Sequence, residues 1–143
     1  MQTFLPYSSY TESARVLDNK RLGKQRSECL IILRTLAGFS NGWKNHSAVK
    51  MWKGCELSLA CYSMEICIEW RVERKFNDTC GNKIASIMEE LEGPKVDPVW
   101  LGNEDFHASH RAALLAKNFE WYSKFGWKEK PEIKYVWPLA LGD

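Results

Sequence analysis

The sequence is poor in the motifs that mark the common enzyme classes. It contains no glycine-rich phosphate loop, no serine elbow with His and Asp partners and no His-Glu-x-x-His motif. No apolar run approaches the roughly 20 residues that cross a bilayer, and no signal peptide is recognisable. The common hydrolase and nucleotide-binding classes are thus without their usual markers, and we expect a cytoplasmic protein with no membrane partner.

Cysteine occurs without the spacing of a disulfide framework or a zinc site. The five cysteines form no Cys-x-x-Cys pair, and their odd number leaves one over in any disulfide pairing. Cys55, Cys61 and Cys67 recur every six residues, which spreads them around a helix. These features predict reduced, mostly packed thiols.

The composition is that of one globular domain with an unusual aromatic content. The 143 residues are 45% hydrophobic and 27% charged, which fits a single domain over residues 1–143 that folds without metal or disulfide bonds. Seven Trp, five Tyr and six Phe suggest that some rings contact flat ligands such as nucleobases, the alternative being a tryptophan-rich core. A formal net charge of +2 permits nucleic-acid binding without requiring it.

No segment alternates polar and apolar residues for long enough to make a sheet, so we predict a compact all-α fold of about four helices. The first long helix is predicted to begin before residue 17 and to cover most of residues 17–46. Apolar residues spaced by threes and fours predict further helices over 47–74, 79–92 and 105–118, followed by a loop-rich aromatic tail over 121–138. The boundary signals are the capping box Ser9-x-x-Glu12, the breakers Gly38 and Asn41-Gly42, and a cap at Asn103 or Asp105.

Four side chains of the first long helix share one face. Arg21, Lys24, Gln25 and Glu28 stand at i, i+3, i+4 and i+7, beside a mostly apolar sector. A single carboxylate held among cations on a rigid element can handle protons beside a polyanion. The alternative is a solvated face on which Lys24 and Glu28 pair at i+4, which is worth only about 0.3–0.5 kcal/mol.

His107 and His110 stand at i and i+3 with Arg111 beside them, which raises the possibility of metal ligation. Two histidines without a third ligand at a suitable spacing are a weak zinc signal, so we predict no metal site. The favoured interpretations are that Ser109, His110 and Arg111 bind phosphate or fix a helix by hydrogen bonds.

Two further clusters have both a binding and a structural interpretation. Asn45 and His46 precede the predicted second helix, where they either bind an anion or cap the helix. Trp121, Tyr122 and Lys124 belong to a run of aromatic and basic residues that suits stacking on bases and contact with a phosphate backbone. A helix end tucked under a tail would use similar residues.

Several motifs together resemble the pyrimidine dimer DNA glycosylase family, of the phage endonuclease V type. They are Leu17-Asp18-x-Lys20-x-Leu22, Glu28-x-Leu30, Leu33-x-x-Leu36, Gly42-x-x-Asn45-His46, Ser109-His110-Arg111 and Trp121-Tyr122. The opening Met-Gln-Thr-Phe-Leu-Pro-Tyr is similar to an uncharacterised bacterial and phage branch placed beside that family.

The resemblance implies an all-α DNA glycosylase with a coupled abasic-site lyase activity, acting as a monomer on double-stranded DNA without metal or organic cofactor. It implies that the nucleophile is the α-amine of the first residue, which is Met1 because the bulky Gln2 prevents its removal, and that the essential carboxylate is Glu28. The residues expected to contact DNA are Gln2, Arg21, Lys24, Gln25, Arg26, Asn45, His46, His107, His110, Arg111, Trp121, Tyr122 and Lys124.

One departure from the family pattern leaves the substrate open. The family's basic residue before the carboxylate is Ser27 here, with Arg26 one place earlier, which on a helix moves the charge by about 100°. A damaged pyrimidine other than the dimer, or a modified pyrimidine, fits equally well. A non-catalytic nucleic-acid-binding module and an enzyme acting on RNA or nucleosides are the alternatives.

Overall fold

The computed structural model describes residues 1–138, so the last five residues of the predicted 1–143 domain lie outside the described residues. All regular secondary structure in the described part is helical, which confirms the all-α prediction, although the helices are more numerous than four. They are α1 (Tyr10–Val16), α2 (Asn19–Leu36), α3 (Ser47–Lys50), α4 (Glu56–Ile68), α5 (Gly81–Glu90), α6 (Glu104–Lys117) and α7 (Phe119–Tyr122). A π-helical turn (Glu69–Glu73) extends α4, and a 3₁₀ turn (Ser123–Phe125) follows α7.

The first long helix is divided in two, contrary to prediction. Ser9 caps α1 as expected, with its Oγ accepting a hydrogen bond from Glu12 N–H at 3.2 Å. Leu17 then leaves the helix in an extended conformation (ψ 136°) with its side chain fully buried. Asp18 N–H donates to the hydroxyl of Tyr122, about a hundred residues away in the chain, and α2 begins after it. The break therefore depends on a long-range contact that the local sequence does not show.

The predicted second helix is also divided, into α3, α4 and the π-helical turn. Gly54 separates α3 from α4 with φ +84°, a conformation that favours glycine and ends the first piece. The third and fourth predicted helices are confirmed as α5 and α6, with ends that differ by one or two residues from those predicted. Asn103 is the cap of α6, and its Oδ1 accepts a hydrogen bond from Phe106 N–H.

Helix α4 lies at the centre of the fold and packs against α1, α2 and α5. The predicted apolar stripe of the second helix forms much of the core, since Trp52, Leu59, Tyr62 and Ile66 are fully buried. All five cysteines are free and four of them are buried, which confirms the expectation of packed thiols. None of the helices in the described part is long and apolar enough to span a membrane.

Gly23 lets Trp70 pack against the middle of α2. A Cβ at this position would lie 2.9 Å from Trp70 Cη2, closer than side-chain carbons normally approach. The indole is itself fixed, because Trp70 Nε1 donates to Asn77 O and its ring packs 4.3 Å from that of Phe76. The guanidinium of Arg26 lies 4.5 Å from the same ring.

We expect Gly23→Ala to lower the free energy of unfolding by about 1–2 kcal/mol, because overpacking outweighs the better helix propensity of alanine. Urea denaturation measures the change. In a Trp70→Leu background the space is available, so the same substitution should stabilise the protein by up to about 1 kcal/mol. Equal destabilisation in both backgrounds would show that the indole is not the cause.

Candidate active site

The N-terminal segment, residues 2–5, runs through the protein interior without a strand beside it in the described structure. Buried peptide groups need hydrogen-bond partners, since each one left unpaired costs about 1–3 kcal/mol. Side chains of α2, α4 and α6 supply those partners here. Trp52, between α3 and α4, adds a hydrogen bond from its Nε1 to Thr3 Oγ1 at 3.0 Å.

Gln25 on α2 holds two residues of this segment at once. Its Oε1 accepts a hydrogen bond from Phe4 N–H at 2.8 Å, and its Nε2 donates one to Gln2 O at 2.7 Å. Tyr62 on α4 donates its hydroxyl to Phe4 O. Gln25 is only 1% exposed, so its amide takes the place of a neighbouring strand inside the core.

His107 and His110 on α6 hold the next residue of the segment. His110 Nδ1 accepts a hydrogen bond from Leu5 N–H at 2.9 Å, and His107 Nδ1 lies 2.8 Å from Leu5 O. Gly102 N–H donates to His107 Nε2 at 3.0 Å, which places the His107 proton on Nδ1 as the donor to Leu5 O. The two rings are 2% and 0% exposed, so these histidines support the N-terminal segment from the core and do not face a surface ligand, contrary to their expected DNA contact.

The carboxylate of Glu28 lies beside the first peptide group of the chain. Its Oε2 accepts a hydrogen bond from Gln2 N–H at 3.3 Å, and its Oε1 lies 3.7 Å from Lys24 Nζ. The Lys24 side chain is 73% exposed, so this ion pair contributes little to stability. The position of the carboxylate is determined by α2 and the N-terminal segment.

Met1 and Glu28 line one cavity of about 400 Å³, a volume in the range of small-molecule sites. Its wall has a cationic part and an apolar part. The cations are Lys20, Arg21, Lys24 and Lys117, the apolar and aromatic residues are Phe4, Ile133 and Tyr135, and the amides are those of Gln2 and Gln25. The cavity thus brings together the first residue of the chain, one carboxylate and several positive charges, an arrangement that suits a nucleophilic reaction beside a polyanion.

Of the predicted DNA-contacting residues, Gln2, Arg21, Lys24 and Gln25 line this cavity, and their contact with DNA stays a prediction. Arg21 also pairs with Asp18 at 3.0 Å.

Two predicted cationic contacts are engaged inside the protein. Arg26 forms an ion pair with Asp78 at 2.7 Å and lies over Trp70. Arg111 donates to Pro6 O at 2.8 Å and to Glu129 at 2.9 Å, and it also pairs with Glu104. These guanidinium groups tie distant segments together, which explains their positions without a nucleic acid.

The aromatic pair of the C-terminal tail is internal as well. Tyr122 is fully buried and donates its hydroxyl to Asp18, whereas Trp121 donates its Nε1 to Val16 O at 2.7 Å. Lys124 lies 3.5 Å from the Trp121 ring centroid. This is the arrangement of a helix end covered by a tail, the structural alternative recognised from the sequence.

At the start of α3, His46 and not Asn45 is the cap. His46 Nδ1 accepts a hydrogen bond from Ala48 N–H at 3.0 Å, whereas the Asn45 side chain is exposed.

Part of the cavity wall consists of residues that were not predicted from the sequence. Lys20 shares the face of Lys24 and Glu28, at i, i+4 and i+8, so helical spacing could have found it. Lys117, Ile133 and Tyr135 come from the far end of the chain and carry no local signal. Glu132 N–H donates to Ala112 O, and Val136 N–H donates to Ser109 Oγ, which lays the 132–136 segment along α6 and brings Tyr135 to the cavity.

The fold and the cavity define a compact, all-helical protein with a cationic site at its N-terminus. A family model described as Pyrimidine dimer DNA glycosylase matches residues 1–83, more than half of the chain, and the chain belongs to this family. The matched part contains Met1, Glu28 and His46. The family is one of DNA glycosylases, which supports an enzyme with DNA as its substrate. Comparisons with curated proteins and with solved structures gave no significant match.

We expect Gln25→Leu to lower the free energy of unfolding by about 2–4 kcal/mol, because Phe4 N–H and Gln2 O lose their buried partners. Urea denaturation measures the loss, and hydrogen exchange should report faster exchange at Phe4. Ser27→Ala on the exposed face of the same helix is the control and should change stability by less than about 0.5 kcal/mol. Similar changes in the two variants would contradict this role of Gln25.

His110 should make the protein less stable in acid. Burial, with a smaller effect of His107, lowers the pKa of His110 from 6.5 to about 3. The unfolded chain binds a proton at His110 between these values while the folded protein does not, so stability falls as pH drops from 6.5 towards 3, by about 1.4 kcal/mol per pH unit.

His110→Asn keeps an acceptor near the Nδ1 position and removes the titration. The free energy of unfolding, measured by urea denaturation at several pH values, should depend less steeply on pH in the variant than in the wild-type protein below pH 6.5. The difference corresponds to the one proton that His110 no longer takes up on unfolding, and it does not depend on the absolute stability of the variant. His107, whose pKa is also lowered, contributes to the slope of both proteins and cancels in the comparison. An unchanged slope would show that His110 does not titrate in this way.

Proposed function

We propose that this protein removes a base of a pyrimidine dimer from duplex DNA with the α-amine of Met1 as nucleophile, and that it then cuts the strand as an abasic-site lyase. The observation that carries the proposal is that Met1 and Glu28 line the same cavity among four cationic side chains. An α-amine is much less basic than a lysine side chain, so a usable fraction is neutral and nucleophilic at physiological pH.

The reaction begins at C1′ of the damaged nucleotide. The amine nitrogen forms a bond to C1′ while the C1′–N1 bond breaks, and its electron pair leaves with the base, which takes up a proton. The amine then loses a proton and the C1′–O4′ bond opens with protonation of O4′, which gives a Schiff base between Met1 and the sugar. Loss of a proton from C2′ expels the 3′ phosphate and cuts the strand by β-elimination.

We assign two tasks to Glu28 in these steps, the stabilisation of the positive charge and the transfer of protons. A carboxylate beside C1′ stabilises the positive charge that develops on the sugar. It then carries protons to O4′ and from C2′. Its hydrogen bond from Gln2 N–H supports this assignment, because it holds the carboxylate one peptide group from the amine.

The positively charged side chains of the cavity wall suit the negatively charged phosphates of a DNA backbone. The exposed side chains of Lys20, Lys24 and Lys117 surround the cavity, and each phosphate contact would release counterions. Reaching C1′ in a duplex requires a distorted or flipped nucleotide, which costs a few kcal/mol and least at damaged pairs.

Borohydride trapping on duplex DNA with a single abasic site tests the proposal. The untagged protein, verified by mass spectrometry to begin with a free Met1, should give a covalent adduct that maps to Met1. Acetylation of the amine should abolish the adduct, and so should a glycine inserted before Met1, which displaces the amine by about 3.5 Å. Glu28→Gln should slow trapping by about 100-fold, whereas Glu12→Gln, an exposed carboxylate on α1, is the matched control.

Tight binding to the same duplex without an adduct would overturn the proposal and favour a non-catalytic binding module. Trapping on RNA or turnover of free nucleosides in preference to DNA would favour the other alternative. An adduct that maps to a lysine of the cavity would show that the α-amine is not the nucleophile.

A further inference from the structure

His46 offers a single hydrogen-bond donor whose direction is set by the helix cap. Because Nδ1 uses its lone pair to accept from Ala48 N–H, the neutral ring carries its proton on Nε2, on the far side from α3. Burial, together with the positive charge of the N-terminal amine, lowers the pKa of His46, although Glu28 acts in the opposite direction. With the Nδ1 lone pair engaged in the cap, the polar group that this neutral ring offers to a ligand is the Nε2–H donor.

An aromatic path connects this donor to the cavity. The ring of His46 lies 6.0 Å from that of Trp137, and Trp137 lies 5.6 Å from Tyr135, which lines the cavity with Met1 and Glu28. His46 is thus linked to the cavity wall through Trp137 and Tyr135.

Trp43 completes this rim on the outside. Its ring lies 6.1 Å from His46, and the residue is 59% exposed, so a flat ligand can reach it. Its backbone has φ +65°, a strained conformation for a bulky residue and one that concentrates at functional sites. Trp43, His46 and Trp137, the aromatic rim, thus combine stacking surfaces with N–H donors, among which the cap fixes the direction of His46 Nε2–H.

We propose that His46 donates its Nε2–H to a carbonyl oxygen of the departing pyrimidine, held against the aromatic rim. This inference rests on the proposed function. As the C1′–N1 bond breaks, its electron pair moves onto the pyrimidine ring and increases the negative charge on O2, which a preorganised N–H stabilises. The proton stays on Nε2, and the base takes its own proton from water.

The amide and ammonium groups that line the cavity are less suited to this role than the imidazole of His46. Both polar atoms of the Gln25 side chain are engaged with the N-terminal segment. Gln2 Nε2 has no hydrogen-bond partner but is enclosed by protein atoms, while its Oε1 accepts from Thr3 N–H. The lysines of the wall carry full charges suited to phosphates.

The two amide substitutions of His46 separate its donor from its cap. In His46→Asn, Oδ1 lies where Nδ1 was, so the cap is kept and the Nε2–H donor is lost. In His46→Gln, the amide NH₂ lies near the Nε2 position, so the donor is kept and the cap is lost. Melting temperatures should accordingly fall more for the Gln variant than for the Asn variant.

The test uses single-turnover kinetics on two duplexes, one with a single cyclobutane thymine dimer and one with a preformed abasic site. His46→Asn should slow glycosidic bond cleavage at the dimer by about 100-fold. β-Elimination at the abasic site, where no base departs, should change by less than about twofold. His46→Gln should recover much of the cleavage at the dimer despite its lower stability.

Equal losses of His46→Asn on both substrates, or no loss on either, would overturn the role of His46 while leaving the amine chemistry intact. A wild-type protein that traps the abasic duplex but leaves the dimer uncut would overturn this inference and the dimer as substrate, while leaving the lyase chemistry of the amine intact. Failure of the wild-type protein on both duplexes would overturn the proposed function together with it.

Discussion

The structure depends on a single constraint, which is that the N-terminal segment crosses the core without a neighbouring strand. Every buried peptide group of residues 2–5 then requires a side-chain partner. Gln25, Tyr62, His107 and His110 supply partners for Gln2, Phe4 and Leu5 from three different helices, and each of the four is buried. The same contacts fix the position of the first residue, so the support of the fold and the placement of the amine are one arrangement.

The basic residues divide into two groups with different tasks. Arg26 and Arg111 are engaged with carboxylates and tie distant parts of the chain together. The lysines around the cavity keep their heads exposed and produce a local positive field, although the whole chain carries a formal charge of only +2. Arg26 therefore does not compensate for Ser27, because it points to Asp78 and Trp70 and is not available to a phosphate beside Glu28.

The cavity combines the part of the chain that the family model matches with the part that it does not. The matched residues 1–83 supply Met1, Glu28 and most of the cations. Lys117, Ile133 and Tyr135 come from beyond the match and close the other side of the wall. The family match therefore covers both groups of the proposed reaction, whereas Lys117, Ile133 and Tyr135 lie outside the matched part.

The sequence by itself determined the helical class, the apolar stripe of α4, the Ser9 and Asn103 caps, and the shared face of Arg21, Lys24, Gln25 and Glu28, because these features follow from local periodicity and capping chemistry. Tertiary structure alone decided that the first helix breaks at Leu17, that the histidines of α6 turn inward and that Tyr135 reaches the cavity. The reason is that hydrogen bonds such as Tyr122 to Asp18 and Leu5 to His110 join residues about a hundred positions apart, and no local pattern records which buried group meets which partner.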